Sequence, residues 1–275
     1  MIFKIKFFSL IFLLSLVAVS TNYYYGSLGV LPIDTFAYFD TGYRILNSEI
    51  PFVDYWTISG PFIDFLQAFY FSIFGVSWKV YMLNSSILNL LLTLISFLFF
   101  KKIGINYVYS FFYAFCVAIL ANPSMGTPFP DHYSTFFSFF AVISFIYALE
   151  TKNKFYWFII PILFFIAFFS KQTPAAYIIF ALIFNILIYL YFRKDFHFLP
   201  PMIFGSIVCI ALLTLFIWWF EIDINQFLNQ YFLYPKTIGA SRINEWELSF
   251  NKAISTLKFL HIILSYNIIY NLKEA

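Results

Sequence analysis

Few side chains in this 275-residue sequence are of a kind that does chemistry, and they are scattered: Asp34, Asp40, Asp54, the consecutive Asp131 and His132, Lys171 with Gln172 beside it, and Lys236 and Arg242. A carboxylate can take a proton from a hydroxyl within hydrogen-bond reach. A lysine or arginine holds an anion, most firmly where water is excluded. One Asp and one His do not complete a coordination shell, so Asp131 and His132 leave a divalent metal open. No Gly-rich phosphate loop, nucleophile elbow, paired-cysteine zinc spacing or basic nucleic-acid stripe occurs. A soluble nucleotide-sugar enzyme and a nucleic-acid partner are therefore not expected. Cys116 and Cys209 fall inside apolar runs and indicate neither a disulfide framework nor a metal knuckle.

The elements that must position these residues follow from composition. Hydrophobic residues make up 62% of the chain and charged residues 11%, with a mean hydropathy of +0.84. A soluble domain has about 45–50% apolar and about 25% charged residues. No water-soluble fold of this length hides that much apolar surface, so the chain reads as an all-α, polytopic membrane helix bundle with the lipid bilayer as its surroundings. About 20 mostly apolar residues cross a bilayer core. On that template spans fall near Phe3 to Ser20, Val80 to Phe100, Tyr107 to Ala121, Tyr133 to Leu149, Phe155 to Phe169, Ala175 to Phe192 and Met202 to Phe220. Leu257 to Tyr270, interrupted by Lys258 and His261, is a weaker eighth.

Basic residues in short loops stay cytoplasmic. Lys4 and Lys6, Lys101 and Lys102, Lys152 and Lys154, and Arg193 and Lys194 occupy alternate connectors, while the short connectors between them hold only Lys171. The N-terminus is accordingly expected inside, and Asp131, His132 and Lys171 outside. Residues 1–20 also resemble a secretory signal, with Ala18-Val19-Ser20 at a cleavage spacing; either reading leaves the following segment outside.

That segment, residues 21–79, should fold against the membrane. Pro32-Ile33-Asp34 reads as a helix start with Asp34 near its N-cap. Phe36, Phe39, Tyr43 and Leu46 then make one apolar face, with Asp40 and Arg44 away from it, as in a helix lying in the interface plane. Gly60-Pro61 opens a second helical run to Phe74, closed by Gly75, in which Asp64 and Gln67 form a narrow polar stripe. The expected organisation is a transmembrane module over 1–220, including these two interfacial helices, followed by an outside segment and the start of a further span over 221–275.

The order Asp34…Tyr38, Pro51-Phe52-Val53-Asp54, Gly60-Pro61, Phe74-Gly75, then Asp131-His132, then Phe169-Ser170-Lys171-Gln172 resembles the GT-C superfamily of membrane glycosyltransferases, which includes protein O-mannosyltransferases and the aminoarabinose transferases that modify lipid A. The resemblance runs over roughly residues 1–242 and lies in order and topology, since each motif is short. It implies transfer of a sugar from a polyprenyl-phosphate carrier to a lipid, polysaccharide or protein acceptor, on the periplasmic face of a bacterial inner membrane. It places Asp34 at the first-loop catalytic aspartate, as general base, although Thr35 stands where relatives often carry a second acid. Asp131 matches an acidic position near the donor phosphate or a metal, with His132 beside it able to donate to phosphate. Lys171 matches a cation suited to the departing phosphate, and Lys236 or Arg242 would grip a second phosphate oxygen.

Plainer readings stand beside each role. Asp34 and Asp131 would cap helices, Asp40 would pair with Arg44 at i,i+4 spacing, Asp54 would form a turn, Lys171 would snorkel, and Lys236 and Arg242 would anchor to headgroups. A transporter or lipid flippase is a second class of function, and a non-catalytic membrane fragment a third. Superfamily members usually continue with further spans, whereas the sequence stops at Ala275, as in a short member or a truncated frame.

Overall fold

The computed structural model describes residues 2–29, 36–57, 59–151, 153–194 and 196–244, with side chains left aside at 2–6 and 242–244. Its elements in chain order are α1 (Ile2–Ser27), α2 (Ala37–Leu46), α3 (Phe62–Phe74), α4 (Trp78–Lys102), α5 (Tyr107–Leu120), α6 (Pro130–Thr151), α7 (Lys154–Phe168), α8 (Gln172–Arg193), α9 (Leu199–Trp219), α10 (Ile224–Leu228), a π-helical turn (Asn229–Leu233) and α11 (Tyr234–Asn244). No strand occurs among the described residues; Pro51 and Tyr55 form one isolated bridge. The chain divides into two compact units, Met1–Tyr231 and Phe232–Ala275, the second containing α11.

Each span expected from the sequence up to Phe220 is a helix, with most ends displaced by a few residues and the first helix running on from Ser20 to Ser27. Polar caps set several of these ends. Ser77 accepts from the Val80 amide at 3.3 Å before α4, Asn106 from Tyr109 at 3.0 Å before α5, and Asn153 from Phe155 at 2.9 Å before α7. Among the described residues five helices are long and apolar enough to cross a membrane: α1 from Phe7, α4, α6, α8 and α9. α5 and α7 have 14 and 15 residues, or ~21–23 Å at about 1.5 Å per residue, short of a core about 30 Å thick. The weak eighth candidate, Leu257 to Tyr270, lies outside the described residues.

Helix α4 is the polar axis of the bundle. Asn84, Ser85, Ser86, Asn89, Thr93 and Ser96 are all buried within it. Inside hydrocarbon a polar side chain has only protein to bond, so these residues turn inward and tie helices together. Asn89 donates to the carbonyls of Ala18 in α1 (2.9 Å) and Ala118 in α5 (2.8 Å). Both alanines are fully buried and let the backbones approach. Asn84 donates to Gln67 of α3 (2.8 Å) and accepts from the Tyr133 hydroxyl of α6 (2.7 Å).

The two ends of the bundle differ in charge. At one end Lys102 pairs with Glu150 at 3.4 Å, and Lys101 lies 3.6 Å over the Tyr107 ring. At the other end of α6, 19 residues or ~29 Å away at about 1.5 Å per residue, Asp131 pairs with Lys171 at 2.7 Å. The α4–α5 and α6–α7 turns thus share one end, and the α5–α6 and α7–α8 turns the other, as alternating connectors require.

In the first long connector the direction of the α3 polar stripe, which its spacing leaves open, is set by packing. Asp64 and Gln67 of α3 are buried, while Phe69, Ile73 and Phe74 face away from the protein. The polar stripe is therefore the packed side of α3, because its surroundings are apolar. In α2 the side turned to the protein carries Tyr38 and Gly42, and Phe36, Tyr43 and Leu46 are exposed. The helix begins at Ala37; the start expected at Pro32-Ile33-Asp34 lies outside the described residues.

Replacing Asn89 by Leu removes two interhelical hydrogen bonds without opening a large cavity. At roughly 0.6–1.7 kcal/mol per bond in a membrane bundle, a loss of about 1–3 kcal/mol is expected on reversible unfolding in mixed micelles. Unchanged stability would show that Asn89 does not clamp α1, α4 and α5.

Candidate functional site

The end of the bundle carrying Asp131 is assembled from three connectors. The α5–α6 loop is pinned to the end of α1 by backbone contact: at Gly126, φ +68°, an added Cβ would lie 2.2 Å from the Gly26 nitrogen. Two buried asparagines then bond across it. Asn22 donates to the Gly126 carbonyl (3.2 Å) and Ser86 Oγ (3.0 Å), and Asn122 donates to Asn22 Oδ1 (3.1 Å), to the Ser85 carbonyl (3.0 Å) and to Ser85 Oγ (2.9 Å). Pro130, Asp131 and His132 follow as the first turn of α6, which tolerates proline because its missing amide has no partner there.

The α7–α8 turn is fixed from both sides. Gly60 lies against Phe169, where any Cβ would clash with the Phe169 backbone, and the Phe62 amide donates to the Phe169 carbonyl at 3.1 Å. The Tyr231 hydroxyl donates to the Phe168 carbonyl, and Gln172 Nε2 donates to the Tyr231 carbonyl at 2.9 Å. Gln230 bridges to the first connector, accepting from the Thr57 amide (3.0 Å) and donating to the Phe52 carbonyl (3.1 Å). Phe52 sits at φ +71° with its side chain fully buried among Phe227 and Tyr231. Finally, Ser134 of α6 donates to the Lys171 carbonyl at 2.8 Å, which joins this turn to the start of α6.

These constraints bring Asp131 and Lys171 together, with His132 next to Asp131 in the first turn of α6. Lys171 Nζ donates to Asp131 Oδ2 at 2.7 Å across 40 residues of sequence, with both side chains about a third exposed (31% and 39%). An ion pair this accessible adds only ~0–1 kcal/mol to stability. It leaves a cation and a carboxylate reachable from outside the bundle. His132, half-buried, stacks on Phe136 (5.4 Å between centroids) and meets the edge of Phe129 (5.6 Å), and its Nδ1 lies 2.9 Å from Asn122 Oδ1.

Asp40 pairs with Arg44 at 2.7 Å, and Arg44 also reaches Glu49 at 2.9 Å. Asp54 closes a turn by accepting from the Ile50 amide at 2.7 Å. Gln172 serves the backbone of the π-helical turn. Lys236 is exposed on α11, in the second unit. Asp34, and the side chain of Arg242, lie outside the described residues. Among the described residues no three His, Cys, Asp or Glu side chains converge as metal ligands.

Two features escaped the sequence. One is the asparagine pair, whose members lie 100 residues apart and look like loop and helix filler. The other is Asp64, which accepts from Thr41 Oγ1 (2.7 Å) and the Tyr55 hydroxyl (3.0 Å) and so ties α2, the turn after it and α3. Burial pushes the Asp64 carboxyl from its ordinary 3.8 up to about 7, the two donors opposing part of the rise.

The fold thus binds a proton at Asp64 that the unfolded chain releases between about pH 4 and 7. Stability conferred by that proton is present at the acid end of the window and lost as pH rises towards about 7. The melting temperature of the detergent-solubilised chain should therefore carry a downward component from pH 5 to pH 8 that Asp64→Asn removes; an equal slope in the variant would contradict the assignment.

No family model matches this chain, and no curated protein or solved structure shows a significant likeness to it.

Proposed function

We propose that the chain is a membrane glycosyltransferase that moves a sugar from a polyprenyl-phosphate donor to a hydroxyl of a lipid, polysaccharide or protein. The observation that carries this reading is the Asp131–Lys171 pair, built by two separate connectors at the end of the bundle opposite Lys102 and Glu150. By the positive-inside rule the Lys102 end is cytoplasmic and the Asp131 end faces outward, the periplasm in a bacterial inner membrane.

In this reaction the acceptor oxygen bonds to the anomeric carbon while the carbon–oxygen bond to phosphate breaks, leaving its electron pair on the phosphate. Charge grows on the phosphate oxygens as that bond breaks. Lys171 meets the charge at a site bordered by apolar helices, where one fixed cation is worth more than in water. Asp131 has the wrong sign to touch phosphate directly. Its part is to hold the Lys171 ammonium in place through the 2.7 Å contact until the phosphate competes for it. The hydroxyl proton goes to Asp34, on the resemblance of its position to the first-loop aspartate of the GT-C superfamily.

Transport or flipping fits less well. Between Lys79 and Lys101, α4 carries only neutral polar groups along its buried face, whereas ion-coupled carriers place ionisable residues there.

In proteoliposomes supplied with polyprenyl-phosphate-linked sugars, Lys171→Met should lower turnover by about 100-fold or more, with little change in melting temperature because the ion pair is exposed. Asp34→Asn should abolish transfer in a folded chain. Transfer that survives both substitutions would end the assignment, and sugar-lipid flux without product in the unaltered chain would favour the carrier.

A further inference from the structure

The hydrogen bonds around His132 settle which of its nitrogens carries the proton. Amide oxygen and nitrogen positions are set by their partners, and here the partners include backbone carbonyls, which only accept. Asn22 must direct its NH2 at the Gly126 carbonyl, so its Oδ1 faces Asn122. Asn122 must direct its NH2 at the Ser85 carbonyl, which leaves its Oδ1 facing His132 Nδ1 at 2.9 Å. Turning either amide over would set oxygen against oxygen in a fully buried position. An oxygen that can only accept requires Nδ1 to donate. In the neutral imidazole the proton is then on Nδ1, and Nε2 keeps its lone pair.

Phe136 and Phe129 hold the plane of the ring, and turning it over about its Cβ–Cγ bond would give up the Asn122 hydrogen bond. Nε2, on the far side of the ring from Asn122, has no hydrogen-bond partner among the described residues. We infer that His132 is held as its Nδ1–H tautomer and presents a bare Nε2 as hydrogen-bond acceptor to a hydroxyl of the sugar on the lipid-linked substrate.

This inference rests on the proposed transfer reaction and deepens it. A bare Nε2 repels a phosphate oxygen, so the role expected from resemblance, donation from His132 to phosphate, does not suit the neutral ring. Lys171 and His132 instead divide the substrate, the cation taking the phosphate common to every carrier and the imidazole taking a hydroxyl present only when a sugar is attached. His132 is thereby a specificity-determining residue.

Two measurements test it in lipid nanodiscs. The first is the imidazole 15N spectrum, assigned to His132 by substitution: a protonated Nδ1 and a bare Nε2 are expected, and a protonated Nε2 overturns the inference whatever the chain binds. The second compares affinity for undecaprenyl phosphate with affinity for undecaprenyl phosphate carrying glucose, N-acetylglucosamine or arabinose. His132→Asn keeps a donor where Nδ1 stood and leaves nothing at Nε2. It should reduce the preference for a sugar-bearing carrier about tenfold, the scale of one hydrogen bond, with affinity for the bare carrier unchanged. His132→Gln, long enough to place an amide oxygen near the Nε2 position, should recover part of that preference, and Lys171→Met should weaken all carriers alike. Equal weakening of bare and sugar-bearing carriers by His132→Asn overturns the hydroxyl contact. Failure of the unaltered chain to bind any carrier overturns the lipid-linked-sugar reading itself, a result the 15N spectrum does not share.

Discussion

In hydrocarbon a polar side chain has no water to fall back on, and this constraint decides which side of α3 and of α4 turns inward. The bundle cannot be held by apolar attraction alone, since lipid tails receive leucine and phenylalanine as readily as another helix does. What distinguishes inside from outside is the asparagines and hydroxyls of α4 and the small residues opposite them. Asn89 shows the economy of the arrangement: one amide reaches backbone carbonyls of two other helices, and the fully buried Ala18 and Ala118 make the reach short enough. The same rule turns Asp64 and Gln67 of α3 against protein, beside Ile63 and Phe71, while Phe69, Ile73 and Phe74 face out.

The candidate site inherits its order from that framework. Lys171 is placed by the turn between α7 and α8, and that turn is held by Gly60, Tyr231 and Ser134, three residues from three different parts of the chain. Asp131 is placed by the loop that Asn22, Asn122 and the Gly26–Gly126 contact fasten to α1 and α4. Two charges are thus set 2.7 Å apart by neutral hydrogen bonds made elsewhere. The ion pair contributes little to its own positioning, because it is too exposed to be worth more than about a kilocalorie per mole. An arrangement that is rigid without its charges leaves those charges free to be shared with a ligand.

Much of this was legible in the sequence, for reasons that can be named. The spans from Phe3 to Phe220 emerged because their signal is a sum over about 20 residues, and alternating lysines marked the shared end now seen as Lys102 beside Glu150. The i,i+4 spacing of Asp40 and Arg44 and the turn at Asp54 were equally local. The inward direction of Asp64 was not legible, because a narrow polar stripe has the same periodicity whether it meets water or protein. The pairing of Asn22 with Asn122 was invisible for another reason: it depends on how a loop is pinned 100 residues away, and neither asparagine differs locally from those that cap helices.

The two carboxylates that the fold treats most differently show why the site lies where it does. Asp64 is enclosed, with two hydroxyl donors and no paired cation among the described residues, so burial favours its protonated form and it serves to join α2 to α3. Asp131 is accessible and has a lysine against it. Between the buried hydrogen-bond network and this open pair stands His132, bonded on one side to Asn122. The orientation of two backbone carbonyls, Gly126 and Ser85, passes through two amides and fixes the proton on an imidazole at the rim. A chain of neutral dipoles is suited to that task. Unlike an ion pair it does not alter the charge of the site, and it cannot be reversed at any link without setting two acceptors against each other.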